Sequence, residues 1–68
     1  MNFHIESERE EDGRWIAEVP EIPGVLTYGV SAQEAMGKAE ALALRALAER
    51  IELGDNQPMP INIVLAAA

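Results

Sequence analysis

The sequence predicts a small α+β domain with the element order β-β-β-α-β, in which one helix covers one face of a mixed four-stranded sheet. Three observations predict it. The first 19 residues alternate between apolar and polar side chains around an Asp-Gly turn, which indicates a hairpin. A capped, alanine-rich segment indicates one long helix, and a short apolar stretch follows it. The predicted strands span residues 2–10, 14–19, 25–30 and 61–65.

The register of the first hairpin remains open at the level of sequence. A two-residue turn at Asp12-Gly13 places Phe3 and Ile16 on one face and Trp15 on the other, opposite glutamates. A one-residue bulge exchanges the faces of one strand. In either register, one face of the hairpin combines apolar groups with carboxylates.

A proline-bearing bend separates the second strand from the third. The segment is Pro20-Glu21-Ile22-Pro23-Gly24. Proline cannot donate a hydrogen bond to a sheet, and Pro23-Gly24 fits the centre of a type II turn in which the glycine takes a positive φ.

The helix is predicted to run from Ala32 to about Leu53 and to stop at Gly54. Ser31 and Glu34 have the spacing of a capping box, in which each side chain bonds to the other residue's backbone N–H. A helix between the third and fourth strands permits a parallel return of the last strand. The expected strand order is therefore 3-2-1-4, within a single domain of residues 1–68.

The apolar surface of this helix is wider than one sheet requires. A helix on a sheet needs an apolar stripe of little more than ~100°, whereas this surface passes half of the circumference. The surplus around Leu44, Leu47 and Ile51 is expected to face a second subunit. Small domains without disulfides often depend on such association, so we expect a homo-oligomer, a dimer or a tetramer.

The charge is strongly negative and unevenly distributed. Of the net charge of −7, residues 1–21 contribute −5. This argues against direct binding of nucleic acid, which needs clustered Lys and Arg. It suits a basic protein partner, but a solvated surface that keeps the domain soluble is the simpler interpretation of the charge alone. There is no cysteine, no apolar run long enough to cross a membrane and no signal-peptide pattern at the N-terminus. The expected compartment is the cytoplasm.

Candidate chemical groups are few. Glu6, Glu8 and Glu18 could approach one another across two strands and hold a divalent metal, but a solvated strand face is the simpler interpretation. His4 has no evident catalytic partner, and Ser31 is explained as a helix cap. We therefore expect a chain that is not an enzyme, with no catalytic residue, cofactor or metal.

Two runs of residues form a pattern that spans much of the chain. They read Asp12-Gly13-Arg14-Trp15-Ile16-Ala17-Glu18-Val19-Pro20-Glu21-Ile22-Pro23-Gly24-Val25 and Gly29-Val30-Ser31-Ala32-Gln33-Glu34-Ala35. This pattern resembles the HicB family of antitoxins, with its glycine-aromatic strand, P-[DE]-[LI]-P-G bend, G-x-[ST]-x-x-E-A helix start and alanine-rich helix. Val25 and Val30 depart from it, because the family commonly has cysteine and aspartate there.

The resemblance implies a partial ribonuclease-H-like fold and a protein partner. That partner is a small basic HicA-like toxin, an mRNA-cutting ribonuclease whose active site the antitoxin covers. No basic DNA-binding segment follows the last strand, so DNA binding is not carried over. The alternative is an orphan oligomeric domain that binds another protein or a ligand. The contacts expected with the partner are Glu6, Glu8, Glu10, Trp15 and Glu18.

Overall fold

The computed structural model describes residues 2–65 and confirms the predicted fold class and strand order. The elements are β1 (Asn2–Arg9), β2 (Trp15–Glu18), β3 (Leu26–Gly29), α1 (Ala32–Leu53) and β4 (Asn62–Leu65). The sheet has the order β3-β2-β1-β4. β1 is antiparallel to β2 and parallel to β4, as a helical crossover requires, and α1 packs on β1, β2 and β3.

The hairpin between β1 and β2 adopts the bulged register. Gly13 donates its N–H to the Glu10 carbonyl at 3.0 Å, and Glu10 donates to the Arg14 carbonyl at 2.7 Å. Gly13 has a φ of +92°, the left-handed conformation that closes a three-residue hairpin loop. Arg9 consequently pairs with Trp15, one residue away from the pairing of a two-residue turn.

The bend between β2 and β3 follows the sequence prediction. Val25 donates to the Ile22 carbonyl at 3.2 Å, and Gly24 takes a φ of +90° at the third position of the turn. Val19 donates to the Val25 carbonyl at 3.1 Å, so the bend continues the β2–β3 ladder. Ile22 and Val25 are buried, and the segment thereby closes one end of the core.

Both ends of α1 lie where the sequence places them, with small differences in capping. Glu34 donates its N–H to Ser31 Oγ at 3.1 Å, but its carboxylate accepts from the Val30 N–H at 3.0 Å rather than from Ser31. At the other end the positive φ values fall on Asp55 and Asn56. The Asn56 N–H then bonds to the Ile51 carbonyl at 2.8 Å.

The core lies between α1 and one face of the sheet, and many of its side chains are small. Four alanines, at positions 17, 35, 39 and 43, are completely buried, which allows the helix to approach the strands closely. The other buried apolar side chains are Phe3, Ile5, Val19, Ile22, Val25 and Leu47.

Candidate functional site

The face of the sheet opposite α1 is left uncovered by the described residues, and we call it the open face. Phe3 and Ile5 of β1 point into the core, so the alternate residues of each strand lie on the other side. The side chains of the open face are Asn2, His4, Glu6, Glu8, Ile16, Glu18, Leu26, Tyr28, Asn62 and Val64.

Three exposed glutamates surround one apolar residue on this face. Glu6 lies directly opposite Glu18, and Glu8 lies directly opposite Ile16. A small cavity of about 100 Å³ is lined by Glu6, Glu8, Ile16 and Glu18. Like charges placed opposite each other on two strands destabilise a sheet. The Glu6–Glu18 pair therefore contributes nothing favourable to the fold, and a cationic group docked between the two would relieve the repulsion.

Apolar side chains extend the open face beyond the glutamates. Leu26, Tyr28 and Val64 are 46%, 41% and 42% exposed, and the register places Leu26 beside Glu18. The guanidinium of Arg14 lies 4.8 Å from the centre of the Tyr28 ring. Exposed apolar groups bordered by polar ones are typical of a protein-binding surface.

The structure brings together only some of the residues predicted to contact a partner. Glu6, Glu8 and Glu18 share the open face, and Glu10 lies beside it, half-buried at the hairpin loop. Trp15 does not belong to this group, because the bulged register turns it toward the helix side, where it packs against the core. Trp15 and the three glutamates therefore lie on opposite faces of the sheet.

Ile16, Leu26, Tyr28 and Val64 are the large apolar side chains of the open face, and none of them was among the contacts predicted from the sequence. Strand alternation places them there once the hairpin register is known. The sequence does not decide that register, because Gly13 fits a two-residue and a three-residue hairpin loop equally well.

Within residues 2–65, no three His, Asp or Glu side chains are arranged to hold a metal ion. Glu6, Glu8 and Glu18 therefore share the open face without forming such a group. In the same part of the chain, no helix is long and apolar enough to cross a membrane.

One carboxylate fixes the bend to the edge of the open face. Glu21 accepts the backbone N–H of His4 at 3.0 Å and the Nδ1–H of the same residue at 2.6 Å. Pro20 precedes Glu21 and leaves the β1–β2 ladder at this point. Backbone pairing between β1 and β2 ends at Glu18, and the Glu21 side chain supplies the hydrogen bonds to β1 beyond that point.

This contact predicts an acid sensitivity. The His4 backbone N–H, and then its imidazole, hold the pKa of Glu21 below its ordinary value of 4.5. Its contribution to stability is therefore complete above about pH 4.5 and is lost as the pH falls through the lowered pKa of the folded state. We expect Glu21→Gln to reduce the acid-dependent loss of stability in urea unfolding measured as a function of pH. Glu49→Gln, a change on the exposed side of α1, is the control, and equal pH dependence in both variants would contradict the prediction.

The three predicted oligomer contacts have different surroundings. Leu47 is only 1% exposed and belongs to the core of the single chain, so its selection as a subunit contact needs correction. Leu44 is 50% exposed, and Ile51 is half-buried. The buried stripe of α1 follows positions 35, 39, 43 and 47. Leu44 and Ile51 lie outside this stripe, on the flank of the helix.

Comparison with known proteins identifies no relative: no family model matches the chain, and neither a curated protein nor a solved structure matches it. The resemblance to HicB antitoxins therefore rests on the sequence motifs alone.

Proposed function

We propose that this chain is a binding module for a small basic protein, which it holds against the open face in the manner of a HicB-type antitoxin. The observation that carries the proposal is the set of three exposed glutamates around Ile16, on a sheet face that no described element covers. The HicA-like toxin implied by the sequence resemblance is a partner of the required charge.

Electrostatics and apolar contact have separate roles in this proposal. The glutamates attract the basic partner and accelerate its association, an effect that salt screens. Ile16, Leu26 and Tyr28 supply apolar area that remains effective at high salt. A partner held by both should dissociate less readily in salt than one held by charge alone.

Inhibition follows from occupation of the same cationic groups that a ribonuclease uses for RNA. Phosphate contacts by Lys and Arg dominate the affinity of proteins for nucleic acid. Glutamates bound to those cations exclude the phosphates, and the bulk of the domain covers the active site. The proposal requires no catalytic group in this chain, and it places the chain in the cytoplasm, where the toxin meets mRNA.

The direct test combines the purified chain with a HicA-like toxin and follows RNA cleavage. We expect cleavage to fall to background at a stoichiometric ratio, with binding that weakens but persists as salt is raised. Unchanged cleavage, with no complex in calorimetry at low salt, would reject the antitoxin proposal and favour the orphan-domain alternative.

A further inference from the structure

The helix borders a second surface that no described residue covers, on the side away from β3. Lys38 donates to the Tyr28 carbonyl at 3.2 Å and so marks the β3 side of α1. On the opposite side, a groove of about 430 Å³ lies between the helix and β4. It is lined by Ala32, Gln33, Met36, Gly37, Glu40 and Leu65. Leu65 is 57% exposed, and a Cβ added at Gly37 would meet no atom of residues 2–65 within 4 Å.

Above this groove, apolar residues of α1 recur at alternating intervals of four and three. They are Gly37, Ala41, Leu44, Ala48 and Ile51, and we call them the helix seam. Four of the five are exposed, and Ile51 is half-buried. A repeat that averages 3.5 residues is the spacing by which one helix packs along another. It differs from the buried stripe, whose members are four residues apart.

We infer that the helix seam is covered by the helix seam of a second copy of this chain, packed antiparallel to it. In that arrangement Leu44 packs against Ala48 of the partner subunit, and Ile51 packs against Ala41 of the partner subunit. Each large side chain meets a small one, which is how facing positions fill space without voids or clashes. A two-fold axis repeats both contacts, as a closed dimer requires.

Charge favours a second copy over a basic partner at this surface. The seam carries no ionisable side chain, and residues 31–53 together carry a net charge of only −1, against −5 for residues 1–21. Two chains of charge −7 repel each other least through such a surface. A basic protein is drawn instead to the open face, which lies on the far side of each sheet and stays accessible in the dimer.

The first test compares two leucines on the same helix. By light scattering, the wild-type chain should have twice its 7.4 kDa mass, and Leu44→Glu should halve the measured mass while circular dichroism remains unchanged. Leu53→Glu is the matched control, because Leu53 is 78% exposed and lies outside the seam. A monomeric wild type would overturn the inference, as would a Leu44→Glu variant that stays dimeric. If the wild type is monomeric and Leu44→Glu abolishes toxin binding, the helix seam binds the basic partner and not a second copy.

A second test examines the pairing of Leu44 with Ala48. Ala48→Leu alone should weaken the dimer by crowding, and Leu44→Ala alone should weaken it by leaving a void. The double variant again places a large side chain against a small one and should recover dimerisation. If the double variant is weaker than both single variants, this register is wrong. In both tests the dimer itself is measured without a toxin, so the dimer can hold where the proposed function fails.

Discussion

Glu18→Lys is expected to lower the affinity for a small basic partner by about 100-fold without unfolding the chain. Glu18 lies on the central strand of the exposed region, between Glu6 and Leu26. Reversal of its charge turns an attraction into a like-charge contact, which costs several kcal/mol at an interface. The fold should tolerate the change, because it replaces the unfavourable Glu6–Glu18 pair with an opposite-charge pair across the strands.

A variant with the same net charge separates the position of the charge from its amount. Glu49→Lys on α1 changes the net charge of −7 by the same two units as Glu18→Lys, but on the helix side of the molecule. Calorimetry with a HicA-like toxin at two salt concentrations should show a small, salt-dependent loss for Glu49→Lys and a large loss for Glu18→Lys. Equal losses would indicate long-range attraction without docking on the open face.

The melting temperature of the two variants provides an internal check on this interpretation. Glu18→Lys should melt at the wild-type temperature or above it, because the repulsion across β1 and β2 is removed. A reduced melting temperature together with lost binding would mean that Glu18 acts by maintaining the sheet.

The topology could be predicted from the sequence because each element carries its own local signal. Ser31 and Glu34 mark the start of the helix, and Pro23-Gly24 marks the turn that leads into β3. These signals depend on residues that are neighbours in the chain, so they act before any tertiary contact forms. The strands and the helix follow from them, and the strand order follows from the helical crossover that joins β3 to β4.

The composition of the open face could not be predicted in the same way. A shift of one residue in the hairpin exchanges which of Trp15 and Ile16 faces the helix, and Gly13 accepts both turn types. What selects the bulged register is packing, since it places Ala17 and Val19 in the core beside Ile5. That preference depends on the helix that lies above them, which is distant in the sequence.

The sequence also could not predict which side of α1 faces the sheet. Nearly every candidate position on the apolar side is alanine or leucine, so hydrophobicity hardly distinguishes one stripe from the next. The structure buries Ala35, Ala39, Ala43 and Leu47, because small residues let the helix settle close to the strands. Leu47 is thereby taken into the core, and Leu44 remains on the surface.

Phe3→Ala is expected to remove most of the stability of the domain, at a cost of about 3–5 kcal/mol. Phe3 is 1% exposed, lies on β1 opposite Ile63 of β4, and is among the largest buried side chains. A void left there cannot readily be filled, because alanines form much of the surrounding core and have no side chain to move into the gap. Domains are stable by only about 0.05–0.15 kcal/mol per residue, so in a 68-residue chain the loss is comparable to the whole.

Urea unfolding at one fixed protein concentration measures this effect, since association also stabilises the folded state. Tyr28→Ala is the control: it truncates an aromatic side chain of similar size that is 41% exposed, and it should cost less than about 1 kcal/mol. The contrast tests the division of the sheet into a core face and an open face. If Tyr28→Ala proved as costly as Phe3→Ala, the face assigned to partner binding would instead be a structural surface covered in the native molecule.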